Sequence, residues 1–165
     1  MAIDALRRAA VFVALVLAQA LVFNHIHLFG YATVLLYVYF VIMIPRNYPR
    51  WATLLWSFTL GLCVDMFADT PGMATASLTL IGFLQPFLLE LFLPREASDN
   101  IRSSMVTLGF TKFFTLAFVL VFIHCLLFFT IEAFGFFNWQ AWLLNIGSTT
   151  VLTMMVLMAL ESIRK

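Results

Sequence analysis

Six apolar runs, 9–23, 31–44, 52–68, 73–93, 105–131 and 139–160, alternate with polar connections of eleven residues or fewer. Each run is continuous, whereas a transmembrane β-strand alternates apolar and polar residues over about ten positions. A bilayer core roughly 30 Å thick is crossed by about 20 helical residues, so the runs read as membrane-spanning helices. The expected fold class is an all-α integral membrane protein, one six-span domain over residues 1–165. The fifth run is the longest and is expected to tilt. Pro45 and Pro49 stop the second run. Thr70-Pro71-Gly72-Met73 fits a type II turn between the third and fourth. Pro86 cannot donate to the Gly82 carbonyl, so a kink is expected there. No internal repeat or low-complexity segment is present.

Composition agrees with this pattern. Hydrophobic residues make up 64% of the chain, charged residues 10%, and the mean hydropathy is +1.04. A soluble domain is closer to half apolar and a quarter charged. The net charge of +1 hides a sorting by position. Arg7 and Arg8, Arg46 and Arg50, Arg95 and Arg102, and Arg164 and Lys165 occupy alternate connections, so eight of the nine basic residues lie on one side. The ninth, Lys112, is near the start of the fifth run. By the positive-inside rule both termini are expected in the cytoplasm, with Tyr48 and Trp51 at the headgroup layer. The N-terminus, with Arg7-Arg8, an apolar run and Ala18-Gln19-Ala20, has the outline of a cleavable signal. A retained first span is the preferred expectation, because a multi-span protein needs no removable signal.

Candidate chemistry is sparse. Cys63 and Cys125 lie in apolar runs without a CxxC or Cys/His cluster, and are expected to be plain buried thiols. His25 and His27 form an H-x-H pair with no third ligand nearby, which fits an interfacial loop better than a metal site. Walker, GxGxxG and GxSxG motifs are absent. The intramembrane polar set is Asp65, Gln85, Glu90, Lys112, His124 and Asn145. Ionisable groups at membrane depth are costly and mark either a site or a structural contact. Ser57, Gly61, Asp65 and Asp69 share one helix face, which would let a second helix approach closely. Asp65 is expected to be satisfied by His124, by amides at the start of the fourth span, or by a partner protein. Glu90 and Lys112 suit an ion pair, or Lys112 snorkels to the headgroups. The middle layer holds too few ionisable groups for a proton relay. The 19 phenylalanines include Phe113-Phe114, Phe128-Phe129 and Phe136-Phe137. These are expected at lipid and in the core, or against another protein's helix.

Gly61-Leu62-x-x-Asp65, followed by Gly72 and Ala76 in the third run of a short six-run chain, resembles the family of rod shape-determining proteins MreD. Gln85-Pro86-Phe87 and the stretch 124–134 are similar to versions from Bacteroidota-type bacteria, and the likeness covers nearly the whole chain. The resemblance implies a non-enzymatic, multi-pass protein of the bacterial inner membrane, acting in cell shape and peptidoglycan synthesis. It implies direct binding to MreC, and through it to MreB, RodA and a penicillin-binding transpeptidase. Membrane lipids surround such a protein, and neither a cofactor nor nucleic acid is expected. Gly61, Asp65 and Gly72 carry over as motif positions, with no catalytic residue among them. The family's fold is similar to the S components of energy-coupling-factor transporters, which supplies an alternative: binding of a small, vitamin-like molecule between the spans. Fold likeness alone does not license a transport function. An intramembrane enzyme is a third class, disfavoured because no nucleophile is paired with a base.

Overall fold

The computed structural model describes residues 2–21, 33–93, 103–135 and 138–164. Seven helices and no strand occur among them: α1 (Ala2–Leu21), α2 (Val38–Ile42), α3 (Arg50–Ala68), α4 (Met73–Phe92), α5 (Met105–Leu108), α6 (Phe110–Ala133) and α7 (Trp139–Arg164). Four of these, α3, α4, α6 and α7, are long and apolar enough to cross a membrane. Helix α1 is 20 residues long but carries Asp4, Arg7 and Arg8 in its first two turns.

The outer surface explains why the chain needs lipid. Large apolar side chains such as Leu62 and Met66 on α3, Phe83 and Leu91 on α4, and Val151 and Met155 on α7 are exposed. So large an apolar surface is untenable on a monomer in water but natural against acyl chains. Several hydroxyls in these helices are satisfied locally. Thr59, Thr115 and Ser148 donate to the carbonyls of Leu55, Thr111 and Leu144, each four residues back. Such back-bonding keeps these three donors from facing hydrocarbon unpaired.

Two expected runs are not continuous helices. The second, expected over 31–44, is regular only from Val38 to Ile42. Residues 33–37 are non-helical, with 34–37 buried, and side chains from both ends of the chain complete their hydrogen bonds. Leu36 N donates to Gln19 Oε1 at 3.1 Å, and Gln19 Nε2 donates to Val34 O at 2.9 Å. Leu35 N and Thr33 N donate to Thr153 Oγ1 and Thr149 Oγ1 of α7, at 3.2 and 3.4 Å. The main chain can leave the helical ladder inside a membrane bundle because other helices supply these partners. Val34 to Ile42 consequently form the most buried stretch of the molecule. The fifth run breaks at Gly109, whose φ of 83° and ψ of 157° favour glycine and separate α5 from α6.

Helices α3 and α4 form a tight hairpin. Pro71 and Gly72 occupy the central positions of the expected type II turn, with Gly72 at φ 84°, ψ −9° and Met73 N donating to Thr70 O at 3.2 Å. Pro86 lies within α4, which runs on to Phe92. Small residues line the seam. A Cβ on Gly61 would lie 2.5 Å from Thr75 Cα, and one on Gly82 would lie 2.3 Å from Ser57 Oγ. In lipid, where burying apolar surface gives helices little mutual attraction, such close approach supplies the dispersion energy that holds them together.

Gly61→Ala is therefore expected to destabilise the protein by about 1–3 kcal/mol through overpacking against backbone. Gly147→Ala is the matched control, since its Cβ meets nothing within 4 Å. Thermal unfolding of both variants in detergent measures the difference; equal midpoints would count against the seam.

Candidate functional site

Besides the contacts of Gln19, Thr149 and Thr153 with residues 33–36, three polar clusters lie inside the bundle. The first is at the α3–α4 turn. Asp65 is buried on the last turns of α3 and accepts four hydrogen bonds. Its Oδ1 receives Thr70 Oγ1 and Ala74 N, both at 2.9 Å. Its Oδ2 receives Thr75 N at 2.9 Å and Thr75 Oγ1 at 2.6 Å. Gly72 is the N-cap of α4 and has no side chain to offer, so the carboxylate of the preceding helix caps it instead. The partial positive charge of a helix N-terminus and two orphan N–H groups favour an anion at this point. Gly61 lies one turn earlier on the same face and lets Thr75 come within reach of Asp65. Asp69, expected on that face, closes α3 in the left-handed region at φ 53° and is exposed.

The second cluster is His124 and Tyr37. Both are fully buried, and Tyr37 OH lies 3.0 Å from His124 Nε2. His124 thus packs against the 33–44 segment instead of reaching Asp65, whose donors are the amides and hydroxyls at the start of α4. Of the three partners expected for Asp65, the amides are the ones in place.

The third cluster joins α2, α5 and α7 at the other end of the bundle. Tyr39 OH donates to Glu161 Oε2, while Met105 N donates to Glu161 Oε1 at 3.1 Å. Arg164 Nη1 donates to Tyr39 OH at 3.4 Å. Gln85 is buried on α4, and its Nε2 donates at 3.0 Å to Ile44 O, two residues past the end of α2.

Glu90 and Lys112 do not form the expected ion pair: both lie on exposed faces of α4 and α6, and no salt bridge joins them. Asn145 is half-buried on α7, in the lining of a cavity of ≈280 Å³ with Phe129, Glu132 and Trp142. Cys125 is buried, Cys63 half-buried, and both are free thiols. No group of three metal-ligating side chains occurs among the described residues; His25 and His27 lie outside them. The resulting arrangement caps helices and closes backbone gaps, and each carboxylate in it already holds donors. Gln19, Thr149, Thr153 and Glu161 are interior polar residues that sequence reasoning passed over. Thr149 and Thr153 are four apart on one face of α7, which was the available signal.

Outside, α6 carries an ordered apolar face. Phe110, Phe114, Phe118 and Phe122 recur every fourth residue, with successive rings stacked at 6.1, 6.3 and 6.1 Å between centroids. They are 40–61% exposed, whereas Phe113, Phe128 and Phe129 are core residues. Phe136-Phe137 lie outside the described residues. No family model, curated protein or solved structure matches the chain.

Asp65→Ala is expected to cost on the order of 2–4 kcal/mol, since it leaves buried donors of α4 unpaired. Asp65→Asn keeps one acceptor and should cost clearly less. The ranking is read from unfolding midpoints in detergent; equal losses would show that the hydrogen bonds contribute little.

Proposed function

We propose that this chain is a non-enzymatic, multi-pass subunit of the bacterial inner membrane that binds and stabilises MreC. Through MreC it works with MreB, RodA and a penicillin-binding transpeptidase in wall elongation. The observation that carries this reading is the phenylalanine ladder on α6, four exposed rings in register along one helix face. Stacked rings offer a rigid, low-entropy surface for a partner's single transmembrane helix. The commitment of Asp65 to capping α4 supports an architectural role for the Gly61–Asp65–Gly72 motif.

In this reading the chain crosses the membrane six times. Helix α1 is the first crossing and the half-unwound segment 33–44 the second, in a bundle of the S-component kind. The positions of the basic residues support both termini lying in the cytoplasm. Arg8 stacks on Tyr48 at 4.2 Å, Arg50 on Phe87 at 4.8 Å, and Arg164 reaches Tyr39, so the start of α1, the start of α3, the end of α4 and the end of α7 share one end of the bundle.

Co-expression with MreC tests the reading. The wild-type chain is expected to co-purify with MreC, and Phe114→Ala/Phe118→Ala to lose most of it while keeping its own unfolding midpoint. Undiminished capture by the double variant would move the interface elsewhere. Failure of the wild type to capture MreC, with rod shape normal on depletion, would sink the proposal.

A further inference from the structure

At the basic end of the bundle, α1, α2 and α7 line an open cavity of ≈160 Å³. Its lining combines three arginines, Arg7, Arg8 and Arg164, with the apolar residues Val11, Phe40 and Ile44. The arginines come from opposite ends of the chain, and two of them are held in place. Arg8 lies over the Tyr48 ring at 4.2 Å. Arg164 donates to Tyr39 OH at 3.4 Å and to Met43 Sδ at 3.1 Å. None of the described residues lining the cavity is acidic. Asp4 lies one turn before Arg7 and Arg8 on α1, and Glu161 is buried with its oxygens taken by Tyr39 OH and Met105 N. Glu161 orients the Tyr39–Arg164 pair, and the described lining carries three arginines and no carboxylate.

We propose that this cavity binds the phosphate of an anionic phospholipid, with the glycerol and first acyl carbons against Val11, Phe40 and Ile44. The chemistry on the page names that occupant. Guanidinium groups match phosphate oxygens in a planar, bidentate geometry. Basic pockets between spans at the cytoplasmic side hold anionic head groups. The volume is close to the about 150 Å³ that takes up a benzene ring, enough for one head-group phosphate and below the roughly 300–1,000 Å³ of drug-sized ligand sites. A soluble anion would gain nothing from the apolar half of the wall. A lipid uses both halves, and would tie α1 to α7 through its phosphate. The inference needs only that this end of the bundle meets a membrane surface, and does not rest on MreC binding.

Native mass spectrometry of the purified full-length chain, loaded with phosphatidylglycerol or phosphatidylcholine, tests it. One phosphatidylglycerol is expected to be retained in preference to phosphatidylcholine. Arg7→Gln should weaken retention roughly fivefold, the usual effect of one basic residue near an anionic surface. Val11→Phe, which fills the cavity without touching a charge, should also reduce it. Arg46→Gln, in the same basic end but not lining the cavity, should leave it unchanged. Equal retention of both lipids, equal loss with Arg46→Gln, or full retention by Val11→Phe would overturn the site. Displacement of the lipid by inorganic phosphate would reassign the cavity to a free anion and overturn the lipid assignment.

Discussion

A main chain that leaves the helical ladder inside a membrane bundle must find other partners for its N–H and C=O groups, because lipid supplies none. This protein meets that constraint at three places by the same device: a side chain from another helix closes the gap. Gln19 of α1 and Thr149 and Thr153 of α7 complete the unwound residues 33–36. Gln85 of α4 satisfies the chain just past α2, at Ile44 O. Asp65 of α3 caps α4. Since each buried donor left open costs about 1–3 kcal/mol, these few contacts constrain how the helices can be arranged.

The α3–α4 corner shows how steric and polar terms support each other. Gly61 removes the Cβ that would strike Thr75, and the approach it permits brings Thr75 N and Oγ1 to Asp65. Gly72 supplies the positive φ of the turn but offers no cap of its own, so the carboxylate one helix back takes that part. The spacing of four between Gly61 and Asp65 is thus a packing requirement: the clearance and the acceptor must lie on one face, one turn apart. An ionisable residue in a span is usually suspected of carrying ions or protons. With four donors on its two oxygens, this one is held as part of the scaffold.

The two ends of the bundle differ in kind. At the Asp65 end a compact turn gathers four donors on one carboxylate. The opposite end gathers Arg8, Arg50 and Arg164 against aromatic rings and hydroxyls. Between them, α6 turns Phe113, Leu116 and Leu120 inward and the stacked ladder outward. One helix therefore carries both the core contact and an ordered outer face.

How much of this could be read beforehand follows from the range of each interaction. The apolar runs, the type II turn at Thr70–Met73 and the sorting of arginines are local or compositional, so the chain alone determines the helical membrane class and the α3–α4 hairpin. The Ser57–Gly61–Asp65 face was likewise readable, because helical periodicity places those residues together. The unwinding of 33–37 was not. An unbroken apolar run such as Val34 to Ile42 looks the same whether helical or extended, and what releases it from the ladder lies 15 to 118 residues away in Gln19, Thr149 and Thr153. The pairing of His124 with Tyr37, and of Glu161 with Tyr39 across 122 positions, was hidden for the same reason. Sequence sets which groups must be satisfied inside lipid, and only the tertiary packing decides which distant side chain satisfies each, since a hydrogen bond acts over about 3 Å and takes no account of separation along the chain.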